Sequence, residues 1–242
     1  MLDASLDLLL GSSCAVCGAY GRVLCEMCAA ELPQTGTVTW PTPAPVGLAT
    51  PAVVGEYAGA LKLLVNAHKE RQQFSLARPL GTMLAHAAQE LALPPEAPWF
   101  LVPVPSRGAV VRMRGHDPML RATRHAAAVL RRCGHHVAVA RVLHNVATVR
   151  DQAGLDAGER AANLAGTMSC VPSRAARLRQ RWPRAGLVVT DDVITTGYTA
   201  REAQRALEET GLRVVGIAAV AATRRQSSPA TFNRDSRASL PF

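Results

Sequence analysis

The sequence predicts an α/β protein: a parallel sheet flanked by helices, with a small metal-binding module at the N-terminus. Three observations predict it. Strand-like and helix-like segments alternate between residues 99 and 224, the pattern of a parallel sheet with right-handed crossovers. Four of the six cysteines (Cys14, Cys17, Cys25 and Cys28) crowd into fifteen residues. The stretch VVTDDVITTGYT, residues 188–199, carries two adjacent carboxylates and then a hydroxyl-rich turn at the end of a strand. Ligands of open parallel sheets bind at such strand ends.

Taken in order, residues 3–10 (DASLDLLL) read as a short amphipathic helix ahead of the cysteines. Residues 33–55 are rich in Pro, Gly and Thr and read as a connector with a short strand near its end. Helical spacing runs from Gly59 to about Leu93. WFLVPV (99–104) is strand-like, the segment from Asp117 to Cys133 helical, and HHVAVARVL (135–143) another strand. Residues 144–170 look irregular and polar, with a short helix around 156–164, and residues 172–184 read as an exposed basic excursion. GLVVTDDV (186–193) is the clearest strand, REAQRALEETG (201–211) the clearest helix, and residues 212–224 a following buried strand. The expected organisation is a helix and cysteine module over 1–32, a connector over 33–58, the sheet domain over 59–225 and a disordered tail over 226–242.

Composition narrows the function classes. The chain has 242 residues, 48% hydrophobic, enough for a sizeable core. No run of about 18 apolar residues suggests a membrane span, and the N-terminal stretch has no basic region of the secretory type. A soluble, cytoplasmic protein is expected. The net charge is +9, unevenly spread: residues 1–60 hold one Arg against five acids, residues 101–150 nine Arg against Asp117 alone. Such a basic region suits phosphate-bearing partners, nucleotides or nucleic acid, and equally a solvated basic face. Aromatics are only 4%, which argues against a large base-stacking platform.

CAVCGAYGRVLCEMC is C-x2-C-x7-C-x2-C. Each knuckle can place two thiolates on one side of a metal, and two knuckles complete a tetrahedral shell. Four protein thiolates close the shell, so the site is structural and zinc is the expected ion. Disulfides are the alternative, disfavoured in a cytoplasmic chain. Cys133 and Cys170 read as small buried hydrophobes.

In the quoted stretch, Asp191 and Asp192 stand at a strand end, and Thr195, Thr196, Gly197, Tyr198 and Thr199 form the turn that opens the next helix. Backbone N–H groups of such a turn and the helix N-terminus attract an anion, and the hydroxyls can donate to phosphate oxygens. Gly197 lets the backbone approach closely. The carboxylates can accept from sugar hydroxyls or hold Mg2+. No G-x-x-x-x-G-K-[ST] loop occurs. The alternative is a capped helix with its acids facing solvent.

Residues 188–199 resemble the 5-phosphoribosyl-1-pyrophosphate (PRPP) motif of type I phosphoribosyltransferases. The whole chain, over about residues 10–224, resembles the ComF/GntX family, which joins a four-cysteine zinc finger to a phosphoribosyltransferase-like domain. VPVPSR (102–107) matches that family's segment after the first core strand. DQAGLDAGERAANLAG (151–166) follows its pattern through Gln152, Leu155, Arg160 and Asn163. RGHDPMLRA (114–122) keeps Arg114 and Gly115 but has His116, Asp117 and Pro118 where the family has an aromatic, Asn and Gln. Lys69 matches the family's lysine, with Glu70 in place of an aromatic, and Thr190 stands where an aliphatic residue is usual.

The resemblance implies a type I phosphoribosyltransferase-like sheet. It implies that Asp191 and Asp192 take the ribose hydroxyls, as the catalytic pair. The turn Thr195 to Thr199 would bind the 5′-phosphate, and Val193 and Ile194 would belong to the PRPP-binding stretch. Ser106 and Arg107 would border the diphosphate, with Arg112 and Arg114 as further cations. Arg160 and Asn163 fall in a segment that could close over the site, and His116 and Asp192 are candidates for a general base. Three functions follow as alternatives: Mg2+-dependent phosphoribosyl transfer to an unknown nitrogenous acceptor; a ComF-type non-enzymatic role in DNA uptake, contacting DNA or a helicase; and a PRPP sensor without transfer.

Overall fold

The computed structural model describes residues 12–91, 97–106, 117–146 and 166–223. Its centre is a seven-stranded sheet built from β1 (Thr37–Val38), β2 (Pro51–Val53), β3 (Gly55–Glu56), β4 (Trp99–Pro103), β5 (Val137–Val139), β8 (Gly186–Ile194) and β9 (Val214–Ala222). The order is β1-β2-β9-β8-β4-β5, with β3 also on β9. β1 runs antiparallel to β2; all other ladders of this sheet are parallel.

Helices cover both faces. Helices α2 (Gly59–Glu70), α3 (Ala77–Gln89) and α4 (Pro118–Arg132) contribute Leu64, Leu84 and Leu130 to the core on one face. On the other face, α6 (Tyr198–Glu208) presents Ala200, Ala203, Ala206 and Leu207, spaced as one helical stripe. The strands serve both cores by alternation: Leu187 and Val189 face α6, and Val188 faces α3 and α4. Burial on both faces explains why β9 reads as a near-continuous run of Val, Ile and Ala. The helices on the first face approach closely at Gly81, where an added Cβ would lie 2.6 Å from the Ala122 carbonyl oxygen. Asp117 caps α4 by accepting from the Leu120 N–H at 3.1 Å, and Pro118 occupies the first turn.

Several expected boundaries change. Residues 33–58, read as a connector with one short strand, supply β1, β2 and β3. Pro51, Ala52 and Val53 are buried, and Pro51 and Ala52 pair with β9, because PAVV is apolar enough to extend the sheet. The strand expected over 135–143 ends at Val139. The chain then leaves the sheet, and β6 (Leu143–Asn145) pairs antiparallel with β7 (Met168–Cys170), at the two ends of a stretch read as irregular. The basic excursion over 172–184 is mostly a helix, α5 (Pro172–Arg181). Proline at its first turn is compatible with helix, Ala175 faces inward, and its arginines stay exposed. The helix expected over 3–10, the short helix around 156–164 and the tail over 226–242 lie outside the described residues.

Candidate functional site

After β4 the chain crosses through α4 to β5 on one side, whereas β8 lies on β4's other side. The carboxyl ends of β4 and β8 therefore flank the switch point of the sheet, the position at which open α/β sheets bind ligands. Thr190 on β8 pairs with Pro103 on β4, and the Val104 N–H donates to the Thr190 carbonyl at 2.9 Å. This register sets Asp191 and Asp192 beside the chain that leads to Ser106.

The two carboxylates are unequal. The Asp191 side chain accepts from the Asp192 N–H at 2.8 Å. Burial, and after it the neighbouring Asp192 charge, push the Asp191 carboxyl up to about 8, against the pull of Lys69. Asp192 Oδ2 lies 2.7 Å from Lys69 Nζ, in the last turn of α2. Partial burial opposes the Lys69 charge, but Asp192 outweighs it and raises the Lys69 pKa. Lys69 was legible only as a matched lysine; nothing local in the sequence ties it to Asp192.

The turn that follows is Thr195 to Gly197, and α6 begins at Tyr198. Gly197 is left-handed at φ +78°, and an added Cβ would sit 3.1 Å from Leu48 Cδ2 and from Pro41 Cγ. No side chain caps α6, so its first N–H groups are left for a ligand or water. The 41–49 loop walls one side of the turn and is held there by α6 itself. Gln204 accepts from the Ala49 N–H at 2.9 Å and donates to the Gly47 carbonyl at 3.0 Å. Arg201 Nε donates to the Val46 carbonyl at 3.1 Å. Sequence reading missed this strap, since Gln204 looks like any polar helix residue.

Ser106 donates its hydroxyl to Asp117 Oδ1 at 3.0 Å, so the capping acid of α4 also positions the loop after β4. Asn145 on β6 donates to the Pro105 and Ser106 carbonyls, both at 3.1 Å. Arg107, Arg112, Arg114, His116, Arg160 and Asn163 lie outside the described residues. The structure thus brings together Asp191, Asp192, the 195–199 turn and Lys69, with Ser106 on the adjoining strand end.

The cysteine cluster forms a second centre. One Sγ from each of Cys14, Cys17, Cys25 and Cys28 lies within 4.8 Å of the others, and Cys17 and Cys25 are 3.7 Å apart. Four thiolates around zinc at 2.3 Å would stand about 3.8 Å apart, so the donor set fits. Backbone N–H groups of Cys25 and Cys28 point at Cys14 Sγ and Cys25 Sγ, each at 3.5 Å. Burial disfavours the Cys14 thiolate, yet N–H groups of Cys17, Cys25 and Val16 outweigh it and bring its pKa down to about 6. Hydrogen bonding with Cys25, followed by burial, pushes Cys28 the other way. Four thiols this close cannot all ionise unaided, and a divalent cation removes that conflict. Cys25 also caps α1 (Glu26–Ala30), and Val23 and Leu32 join the core packed by α2, α3 and α4.

No family model matches the chain, and a search of the curated proteins finds no similar one. Fold and sites define a mixed α/β protein with a mainly parallel sheet flanked by helices. Its N-terminal cluster of four cysteines could hold a metal such as zinc. No helix among the described residues is long and apolar enough to cross a membrane.

Proposed function

We propose that the chain binds 5-phosphoribosyl-1-pyrophosphate with Mg2+ at the β8–α6 junction and that its cysteine cluster holds a structural zinc ion. The observation that carries the reading is a carboxylate pair followed within a few residues by an uncapped helix N-terminus, at the switch point of the sheet. A vicinal diol needs paired acceptors, and a terminal phosphate needs N–H donors and hydroxyls. Asp191 and Asp192 supply the first, and the 195–199 turn the second. The carboxylate oxygens also suit Mg2+, which prefers one or two carboxylates together with phosphate oxygens. When bound, the ion would neutralise the diphosphate. Ser106, held by Asp117 and Asn145, borders the side on which the diphosphate would lie. Transfer of the phosphoribosyl group to a nitrogenous acceptor would be the activity of this site; binding without transfer is the sensor form of the same reading.

Thermal unfolding of the zinc-loaded protein with and without Mg2+ and PRPP tests it. Ligand at about 100 times its dissociation constant adds roughly 2.7 kcal/mol, or about 5–10 °C for a chain of this size. The wild type shifts and the Asp191→Asn/Asp192→Asn double variant does not. No shift of the wild type with PRPP or ribose 5-phosphate would overturn the reading.

A second reading is favoured by one charge pattern. Residues 118–190 hold twelve Arg against three acids (Asp151, Asp156 and Glu159), and five of the Arg lie on or just after α5. Contact with the DNA backbone would use those arginines without catalysis. Affinity for a DNA duplex that falls steeply with salt supports it, and no binding at about 50 mM salt rejects it.

A further inference from the structure

We infer that Lys69 is a resident counter-ion that keeps free divalent cations off the Asp191–Asp192 pair and moves to the diphosphate of an arriving Mg2+-bound ligand. The inference rests on the proposed sugar-phosphate site and concerns how that site admits its metal.

Three features lead to it. Lys69 Nζ contacts Asp192 Oδ2 at 2.7 Å, with side-chain exposures of 50% and 24%, so the lysine is the more exposed partner. A cation that binds Asp192 Oδ2 has to displace this ammonium. An ion pair this open contributes little to stability, so a purely structural purpose is weak. Next, the helix end that carries Lys69 is fixed while the ammonium is not. The preceding His68 is buried, with Nδ1 3.1 Å from the Gln73 carbonyl oxygen and Nε2 3.2 Å from that of Pro118. That anchors the end of α2 against the start of α4, whose capping Asp117 holds Ser106. The four-carbon stem of Lys69 swings from this fixed base with three rotatable donors. Finally, Lys69 lies in the last turn of α2, where the helix terminus itself favours a cation, so Asp192 is not its sole electrostatic support.

The exchange is a matter of charge. With Lys69 on Asp192 the site carries one negative charge fewer, and a lone Mg2+ would have to displace an ammonium to enter. A metal arriving with a diphosphate brings anionic oxygens to which the displaced ammonium can pair. The site would therefore take Mg2+ together with its ligand and refuse it alone.

The test uses the zinc-loaded full chain. Mn2+, a carboxylate-binding substitute for Mg2+, is titrated by electron paramagnetic resonance into wild type, Lys69→Gln, Lys69→Arg and Asp191→Asn/Asp192→Asn. Calorimetry then compares Mg2+ with PRPP against ribose 5-phosphate, which has no diphosphate. Removing the charge should make Lys69→Gln bind Mn2+ about tenfold tighter than wild type. Lys69→Arg should exclude Mn2+ as wild type does, and the double Asn variant should bind none. Lys69→Gln should also bind Mg2+ and PRPP about tenfold more weakly while holding ribose 5-phosphate no less tightly. Opposite signs for metal alone and metal with diphosphate are not produced by a merely structural ion pair. Equal Mn2+ affinity in wild type and Lys69→Gln, or equal weakening of PRPP and ribose 5-phosphate, overturns the inference. If wild type binds neither sugar phosphate, the sugar-phosphate reading fails, and the Mn2+ comparison still decides whether Lys69 guards the acid pair.

Discussion

Thr190 and Thr123 place their hydroxyl oxygens 2.9 Å apart in a fully buried contact between β8 and α4, directly beneath the acid pair. Thr123 donates its own proton to the Met119 carbonyl at 2.8 Å, so Thr190 is the donor between the two hydroxyls. The buried polar side chain of Thr190 on β8 is thus matched by a hydroxyl on α4.

The two halves of that pair should respond differently. Thr190→Val removes a donor but leaves Thr123 bonded to Met119, and should cost about 1 kcal/mol. Thr123→Val strands a buried hydroxyl on Thr190 and should cost more, about 1–3 kcal/mol. The double variant should cost less than the sum, because no buried donor is then left unpaired. Urea unfolding of the four proteins measures this coupling.

Removing metal should destabilise more than the N-terminal module. Val23 and Leu32 flank the cysteines and belong to the core shared by α2, α3 and α4. Chelation, or Cys17→Ser, should lower the melting temperature of the whole domain, and readdition of zinc should restore the chelated wild type with release of protons from the thiols. Metal analysis should give one ion per chain. A melting temperature indifferent to chelation would show that the cysteines hold no structural ion.

Asp191 makes stability and ligand affinity depend on pH in opposite senses. Its carboxyl has a pKa near 3.8 when unfolded and about 8 when folded, so between these values the folded state holds the extra proton. Stability from this group is fully present below about pH 4 and is lost as pH rises through 8. A ligand that needs both carboxylates charged should bind more tightly over the same interval. Asp191→Asn should flatten the stability profile between pH 5 and 8. Urea midpoints and calorimetric affinities across this range check both slopes.

Local pattern carried much of the architecture. β4, β8 and β9 are short apolar runs, α6 has an Ala/Leu stripe at helical spacing, and the acid pair with its turn lies within twelve consecutive residues. The cysteine cluster was equally legible, since two close knuckles need little more than local turns to converge. Each of these signals is written in neighbouring residues and needs no knowledge of what packs opposite.

Tertiary structure decided the rest. PAVV reads as the end of a connector until β9 offers it an apolar edge to pair with. Gln204 becomes a clasp only because α6 passes under the 41–49 loop, 155 residues away in sequence from Ala49. Lys69 meets Asp192 because α2 ends where β8 ends, and Ser106 meets Asp117 because Asp117 caps α4 next to the end of β4. By itself the sequence determined which strands, helices and metal-binding knuckles this chain could form, because periodicity and spacing act over a few residues. Which charges and hydroxyls face one another was left to the packing of distant segments, whose opposing surfaces no local pattern specifies.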